Sequence, residues 1–247
     1  VCLDCGACRI DKQLGLERTP EEYVATMVGV FREVRRVLRE DGTLWLNLGD
    51  SYNAHPGQRK TTDLVGQKQE TNKGSNSVGS RHVPTMKPKD LVGIPWLVAF
   101  ALRADGWYLR QDIIWSKPNP MPESVTDRCT KAHDYVFLLS KSATYHYDAE
   151  AIKEKAAGVS GGACIGPQTK PGIEPSTAGS AEIEPCILAG SPKGGVVLDC
   201  FNGSGTTGMV AIRHGRQYIG IELKAEYLDM TRKRLSHNQL ALYGCSH

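Results

Sequence analysis

The densest concentration of reactive and ligand-binding residue types is the run Asp199-Cys200-Phe201-Asn202-Gly203-Ser204-Gly205-Thr206-Thr207-Gly208. An acid closes the apolar stretch Val196-Val197-Leu198, glycines and hydroxyls follow, and a second acid, Glu222, closes the next apolar stretch from Tyr218. Glycines at this spacing let backbone approach a ligand and bring the free N–H groups of a helix start to bear on an anion. Gly203, Gly205 and Gly208 also match the dinucleotide fingerprint, in which an acid about 20 residues on binds ribose. The charge of Asp199 separates the two readings, because an acid on the approach to the ligand repels a pyrophosphate but suits the ammonium and sulfonium groups of S-adenosylmethionine. Charge favours the methyl donor, and a dinucleotide stays open as the alternative.

Other chemistry is weaker. Cys2, Cys5 and Cys8 have the spacing of a zinc knuckle, but tetrahedral zinc needs four ligands and no second pair is near in sequence. Free thiols are expected there, with no bound metal. Cys129, Cys186 and Cys200 are expected as small buried residues. The eight cysteines lack the regularity of a secreted disulfide framework, which fits a reducing cytoplasm. The net charge of +3 permits a polyanionic partner without demanding one. Its placement is more telling, because residues 53–89 hold few large apolar side chains and carry Arg59, Lys60, Lys68, Lys73, Arg81, Lys87 and Lys89 against Asp63 and Glu70. That stretch reads as a mobile basic loop.

The elements that position these residues follow from periodicity. Thr19 with Pro20 and Glu22 makes a capping box, and Val24, Met27, Val28, Phe31, Val34 and Leu38 line one helix face up to Asp41-Gly42. Thr43 to Gly49 reads as a buried strand. A second helix is expected from about Lys89 to Ala104, then strands at Trp107 to Trp115 and Tyr135 to Ser140. Residues 156–183 read as a flexible linker rich in Gly, Pro, Ser and Thr, and 184–242 as a half with a short helix to Ala189, the strand Val196–Asp199, a helix after the glycine loop, the strand Tyr218–Glu222 and a last helix Glu226–Leu242. Trp45, Trp96 and Trp107 are expected in the core. Leu91 to Leu102 is apolar but contains Gly93 and Pro95 and is shorter than the ~20 residues of a bilayer span, so no membrane segment is expected. Alternating helix and strand points to an α/β sheet.

These blocks resemble the DNA amino-group methyltransferases, in the permuted order that puts the catalytic half before the cofactor loop. Asp199-Cys-Phe-Asn-Gly-Ser-Gly-Thr-Thr207 is similar to the family's Asp-Pro-Phe-x-Gly-Ser-Gly-Thr-Thr loop, with Cys200 in place of proline. Gly42 to Tyr52, Ile113 to Pro122 and Lys131 to Lys141 resemble further blocks in the same order. The resemblance implies an α/β Rossmann-like, mostly parallel seven-stranded sheet of the S-adenosylmethionine-dependent methyltransferase type. It implies methylation of cytosine at N4 or adenine at N6 in double-stranded DNA within a short site, as in DNA methylation and restriction-modification. Asp199, Phe201, Gly203, Ser204, Gly205, Thr206 and Glu222 are then the cofactor residues. Trp115, Lys117 and Asn119, ending a strand on the ligand side, and Asp50 are candidates for facing DNA or the target base.

The family's acceptor loop, an Asp, Asn or Ser followed by Pro-Pro and then Tyr or Phe, has no counterpart, since the chain contains no Pro-Pro pair. Block order places it before Gln13, so the start at Val1 reads as a cut, residues 1–12 as the remnant of a Cys-rich insertion, and the catalytic residues as unknown. Asn119-Pro120-Met121-Pro122 matches a separate family loop and is not taken as catalytic. The family's Phe-Pro stretch before the cofactor strand is also missing at Glu184-Pro185-Cys186. The expectation is therefore one methyltransferase domain over 1–247, acting in the cytoplasm and of bacterial, archaeal or phage-encoded type. A dinucleotide-dependent oxidoreductase and a non-catalytic DNA-binding remnant are the alternatives.

Overall fold

A computed structural model describes residues 14–53, 83, 85–117, 120, 122–123, 126–153 and 178–243. The cysteine triplet 2–8, most of the basic stretch, Asn119 and most of the linker lie outside them. The chain divides into two compact units, residues 1–37 with 47–109, and residues 38–46 with 110–247.

In the first unit, α1 (Pro20–Val37) is capped as its sequence requires. The Glu22 N–H donates to Thr19 Oγ1 at 3.2 Å, and the Glu22 carboxylate accepts from the Arg18 N–H at 2.9 Å. Glu21 and Glu22 at its start and Arg35 and Arg36 at its end complement the helix dipole. Met27 and Phe31 bury fully, as do Val98 and Leu102 of α2 (Ile94–Ala104). The second helix starts later than its apolar pattern implies. Lys89 has φ 70°, Leu91 bridges Tyr52 in antiparallel fashion, and the Val92 N–H donates to Ser51 O at 2.9 Å. Residues 89–92 therefore spend their backbone groups on 51–53, and Leu91 is exposed. Asn53, buried, ties both ends of the basic stretch together: its Nδ2 donates to the carbonyls of Val83, Met86 and Lys87, and its Oδ1 accepts the Val83 N–H.

The second unit carries most of a three-stranded sheet of order β1-β3-β2, built from β1 (Thr43–Leu48), β2 (Tyr108–Ser116) and β3 (His133–Ser140). Central β3 is buried from Val136 to Ser140, which is why it reads as a continuous apolar run. The linker gives way to helix earlier than composition implies, because α3 runs Ala178–Gly190 despite Pro185 within it. Its last residue meets β1 so closely that a Cβ on Gly190 would lie 2.2 Å from Trp45 Nε1, a contact only glycine permits. Then β4 (Val196–Asp199), α4 (Thr206–Arg213) and β5 (Gln217–Gly220) form a right-sized β-α-β unit, with parallel pairing of Val196 to Gln217 through Asp199 to Gly220. The last helix, α5, spans Ala225–Tyr243.

Val197 and Tyr218 face a small core of Ile187, Val210 and Ala211, whereas Val196 and Ile219, on the opposite face of the pair, are exposed. Buried Arg216 joins the ends of α3 and α4, donating to Ser191 O and His214 O at 2.7 Å each. The fold class is α/β, as expected. In place of one seven-stranded sheet, the described residues hold the three-stranded sheet and the parallel pair. Of the tryptophans, Trp107 is fully buried but Trp45 and Trp96 are half-buried, Trp96 leaning on the exposed Phe100 ring. Cys129 is exposed rather than buried, and Cys186 and Cys200 are intermediate. No described helix is long and apolar enough to cross a membrane.

Candidate cofactor site

The loop between β4 and α4 is built from its own polar groups. Asp199 Oδ1 accepts the Phe201 N–H at 3.0 Å, which starts the turn out of the strand. The Asp199 carbonyl accepts the Ile221 N–H at 2.9 Å and the Ile221 carbonyl accepts the Asn202 N–H at 3.1 Å, so the pairing of β4 with the β5 side continues past both strands into the loop. The chain then turns at Gly205, with φ 79°, into α4. A Cβ there would lie 2.7 Å from Thr231 Cγ2 and 2.8 Å from its Oγ1. Both the left-handed backbone and the contact with α5 demand glycine.

Asn202, at the variable position of the family's motif, is the buried centre of this loop. Its Nδ2 donates to Gly203 O at 2.9 Å and Thr231 Oγ1 at 2.8 Å, and its Oδ1 accepts from the Tyr218 hydroxyl. From α5, Arg234 Nη1 donates to Ser204 Oγ at 3.0 Å and Thr206 Oγ1 at 2.8 Å. Asn202, Tyr218, Thr231 and Arg234 were not legible as site residues, because each acts through the loop. The one sequence signal for Asn202 is a polar residue with an amide between an aromatic and a glycine.

Glu222 lies beyond β5, which ends at Gly220, and not at the strand's last position. Its Oε2 accepts the Gly203 N–H at 2.8 Å, and its Oε1 accepts the N–H groups of Leu223 and Lys224 at 2.9 and 3.0 Å. Those backbone donors, the Lys224 N–H foremost, hold its carboxyl below the ordinary glutamate value. Burial, with help from Asp199, pushes the Cys200 thiol up to about 11 and raises the Tyr218 hydroxyl as well, so neither offers an anion near neutrality. The loop thus brings together the Asp199 carboxylate, bonded to the Phe201 N–H, the Glu222 carboxylate, bonded to the Gly203 N–H, a half-exposed Phe201 ring and the start of α4. That donor set fits an adenosyl amino acid: anions for an ammonium and a ribose, and helix N–H groups for a carboxylate.

The candidate DNA-facing residues are distributed differently. Asp50 lies in the first unit and serves α2, its Oδ1 accepting the N–H groups of Gly93 and Ile94 at 2.9 and 3.1 Å. Trp115 lies in the last residues of β2 and Lys117 just past its end, both in the second unit, Trp115 half-buried and Lys117 paired with Asp134. Asn119 is outside the described residues. Burial, followed by the nearby Asp134 charge, raises the Glu182 carboxyl above its ordinary value, while Lys117 opposes that shift. Among the described residues no group of His, Cys, Asp and Glu is arranged to hold a metal ion.

The sequence profile of the DNA methylase family, covering N6 and N4 methyltransferases, matches residues 7–233. The chain belongs to this family. As a DNA methylase it is 44% identical over 239 residues to the type II methyltransferase M.Cfr9I of Citrobacter freundii, covering 92% of this chain and 75% of the relative. It is 47% identical over 233 residues to M.SmaI of Serratia marcescens, covering 90% and 77%. In fold it is similar to the cytosine-N4-specific PvuII DNA methyltransferase, with TM-score 0.61 at 19% identity, covering 97% of this chain and 83% of that one. It is likewise similar to M1.HpyAVI in complex with S-adenosylmethionine, with TM-score 0.53 at 19% identity over 85% and 83%. Membership of the N6 and N4 DNA methylases sets the dinucleotide oxidoreductase aside.

Proposed function

We propose that the β4–α4 loop holds S-adenosylmethionine through Asp199, Phe201, Gly203, Ser204, Gly205, Thr206 and Glu222, and that the methyl goes to the exocyclic amine of a cytosine or adenine flipped out of double-stranded DNA. The observation that carries the assignment is the pair of carboxylates, Asp199 and Glu222, flanking a glycine turn at the start of α4. When bound, the cofactor supplies an electrophilic methyl on sulfonium. The chain's own residues bind and orient. Asp199, with a carboxylate oxygen beyond the one that accepts the Phe201 N–H, receives the ammonium, the α4 N–H groups the carboxylate, Glu222 the ribose hydroxyls, and Phe201 supplies an apolar wall. An exocyclic amine is a poor nucleophile, so holding it in line with the methyl is much of the catalysis. Trp115, Lys117 and Asn119 are proposed on the DNA side, with Asp50 supporting the first unit by capping α2. The proposed place of action is the cytoplasm, where DNA and methyl donor meet.

The test is equilibrium binding of labelled S-adenosylmethionine to the 247-residue chain, with a nicotinamide dinucleotide as competitor. Losing one charged hydrogen bond of ~1.5–3 kcal/mol corresponds to roughly 10- to 100-fold in affinity, so Asp199→Ala should weaken binding by that factor. Full affinity in the folded variant, or displacement by the dinucleotide, would refute the assignment.

A further inference from the structure

Two side chains one turn apart on α5 reach the cofactor loop, and they do different things. Thr231 fills the space under Gly205 and bonds Asn202, which is packing. Arg234 engages the two hydroxyls on either side of Gly205, Ser204 Oγ at 3.0 Å and Thr206 Oγ1 at 2.8 Å, from one guanidinium nitrogen. A guanidinium has donors only and no acceptor, whereas a hydroxyl has one donor and two lone pairs. Both hydroxyls therefore accept from Arg234, and the proton of each must be donated elsewhere. Thr206 is the first residue of the eight-residue α4 and Ser204 immediately precedes its N-cap Gly205, so both O–H groups belong to the helix start, whose first N–H groups have no intrahelical partner.

We propose that Arg234 is a positioning residue for the methyl donor: by filling one lone pair of each hydroxyl from the α5 side, it turns the O–H groups of Ser204 and Thr206 toward an anionic ligand group, the carboxylate of S-adenosylmethionine. The inference rests on the reading of this loop as the methyl-donor site. It assigns the Arg234 effect to the amino-acid end of the ligand and leaves the adenosine end, served by Glu222, to other groups. A side chain that only stiffened the loop would serve both ends alike.

The experiment compares two ligands on the full chain: S-adenosylmethionine and methylthioadenosine, which keeps the adenosine and lacks the carboxylate. Arg234→Met should weaken S-adenosylmethionine about tenfold or more and leave methylthioadenosine within a factor of two, while Arg234→Lys, which retains a donor-only cation, restores most of the loss. Ser204→Ala with Thr206→Val should reproduce the loss, and adding both to Arg234→Met should weaken binding little further. Unchanged S-adenosylmethionine affinity, equal loss of both ligands, or additive losses would overturn the proposal. If Arg234→Met does not fold, the Ser204 and Thr206 variant, which keeps Arg234, carries the same ligand comparison. Asp199→Ala run alongside separates the two claims, since intact binding there refutes the site itself rather than the role of Arg234.

Discussion

Replacing Gly205 by alanine tests the loop and its helix support together. Two costs follow from the geometry. The residue sits at φ 79°, where an L side chain is strained by about 1–2 kcal/mol. The new methyl would also lie 2.7 Å from Thr231 Cγ2 and 2.8 Å from Thr231 Oγ1, and overpacking of this kind costs about 1–3 kcal/mol. The sum, about 2–5 kcal/mol, is a large part of the ~5–15 kcal/mol that stabilises a domain. Thr231→Ala removes both of those atoms and leaves only the Thr231 Cβ, at 3.0 Å. In that background Gly205→Ala should cost little more than the backbone strain, a coupling of about 1–3 kcal/mol. The assay is urea unfolding of the four proteins of the cycle, with the midpoint and slope compared. An equal cost of Gly205→Ala in both backgrounds would show that Thr231 does not press on the loop, and a negligible cost in either would show that the loop is not left-handed there.

Arg216→Met should destabilise the chain by about 2–4 kcal/mol in the same assay, because the Ser191 and His214 carbonyls lose a buried donor. For Glu222 the folded carboxyl lies below its ordinary 4.5, so the stability it contributes is present above pH 4.5 and fades as pH falls through the lower folded value. Glu222→Gln should therefore lower stability at neutral pH and flatten the acid limb below pH 4.5, which pH-dependent thermal melts will read. Neutralising Arg59, Lys60 and Lys68 together should weaken DNA binding alike for all sequences and reduce the salt slope by roughly 0.9 per lost phosphate contact, whereas identical slopes would make the stretch a solvated loop. Because the chain has no Pro-Pro pair, tritiated methyl donor and mixed-sequence DNA should yield no labelled DNA with these 247 residues alone, and incorporated label would redirect attention to Asn119-Pro120-Met121-Pro122 as the acceptor loop.

Local patterns were the legible part. The capping box at Thr19, the apolar face of α1, the strands around Val136 and Val197, the glycine loop and the last helix all depend on neighbours within a few residues, and each sits where its pattern places it. One misplacement came where distant chain competes for the same backbone, and another where composition hid a helix. Residues 89–92 carry helix-compatible side chains but pair with 51–53, and a helical start at Ala178 interrupts a composition that reads as linker.

By itself the sequence determined the family, and it singled out Asp199, Gly203, Gly205 and Glu222 as the candidate methyl-donor loop, because a ligand that needs close backbone approach and two anions calls for those residue types at fixed spacing. Only the tertiary structure decided what holds that loop in shape. Asn202, Tyr218, Thr231 and Arg234 come from three separate elements, and their hydrogen bonds to the loop exist only once α5 and β5 are folded against it. It also decided that Glu222 stands beyond the strand end with three backbone N–H groups on its carboxylate, and that Asp50 starts a helix. Spacing along a chain records which groups a ligand requires, but a hydrogen bond between residues 30 apart leaves no periodicity to read.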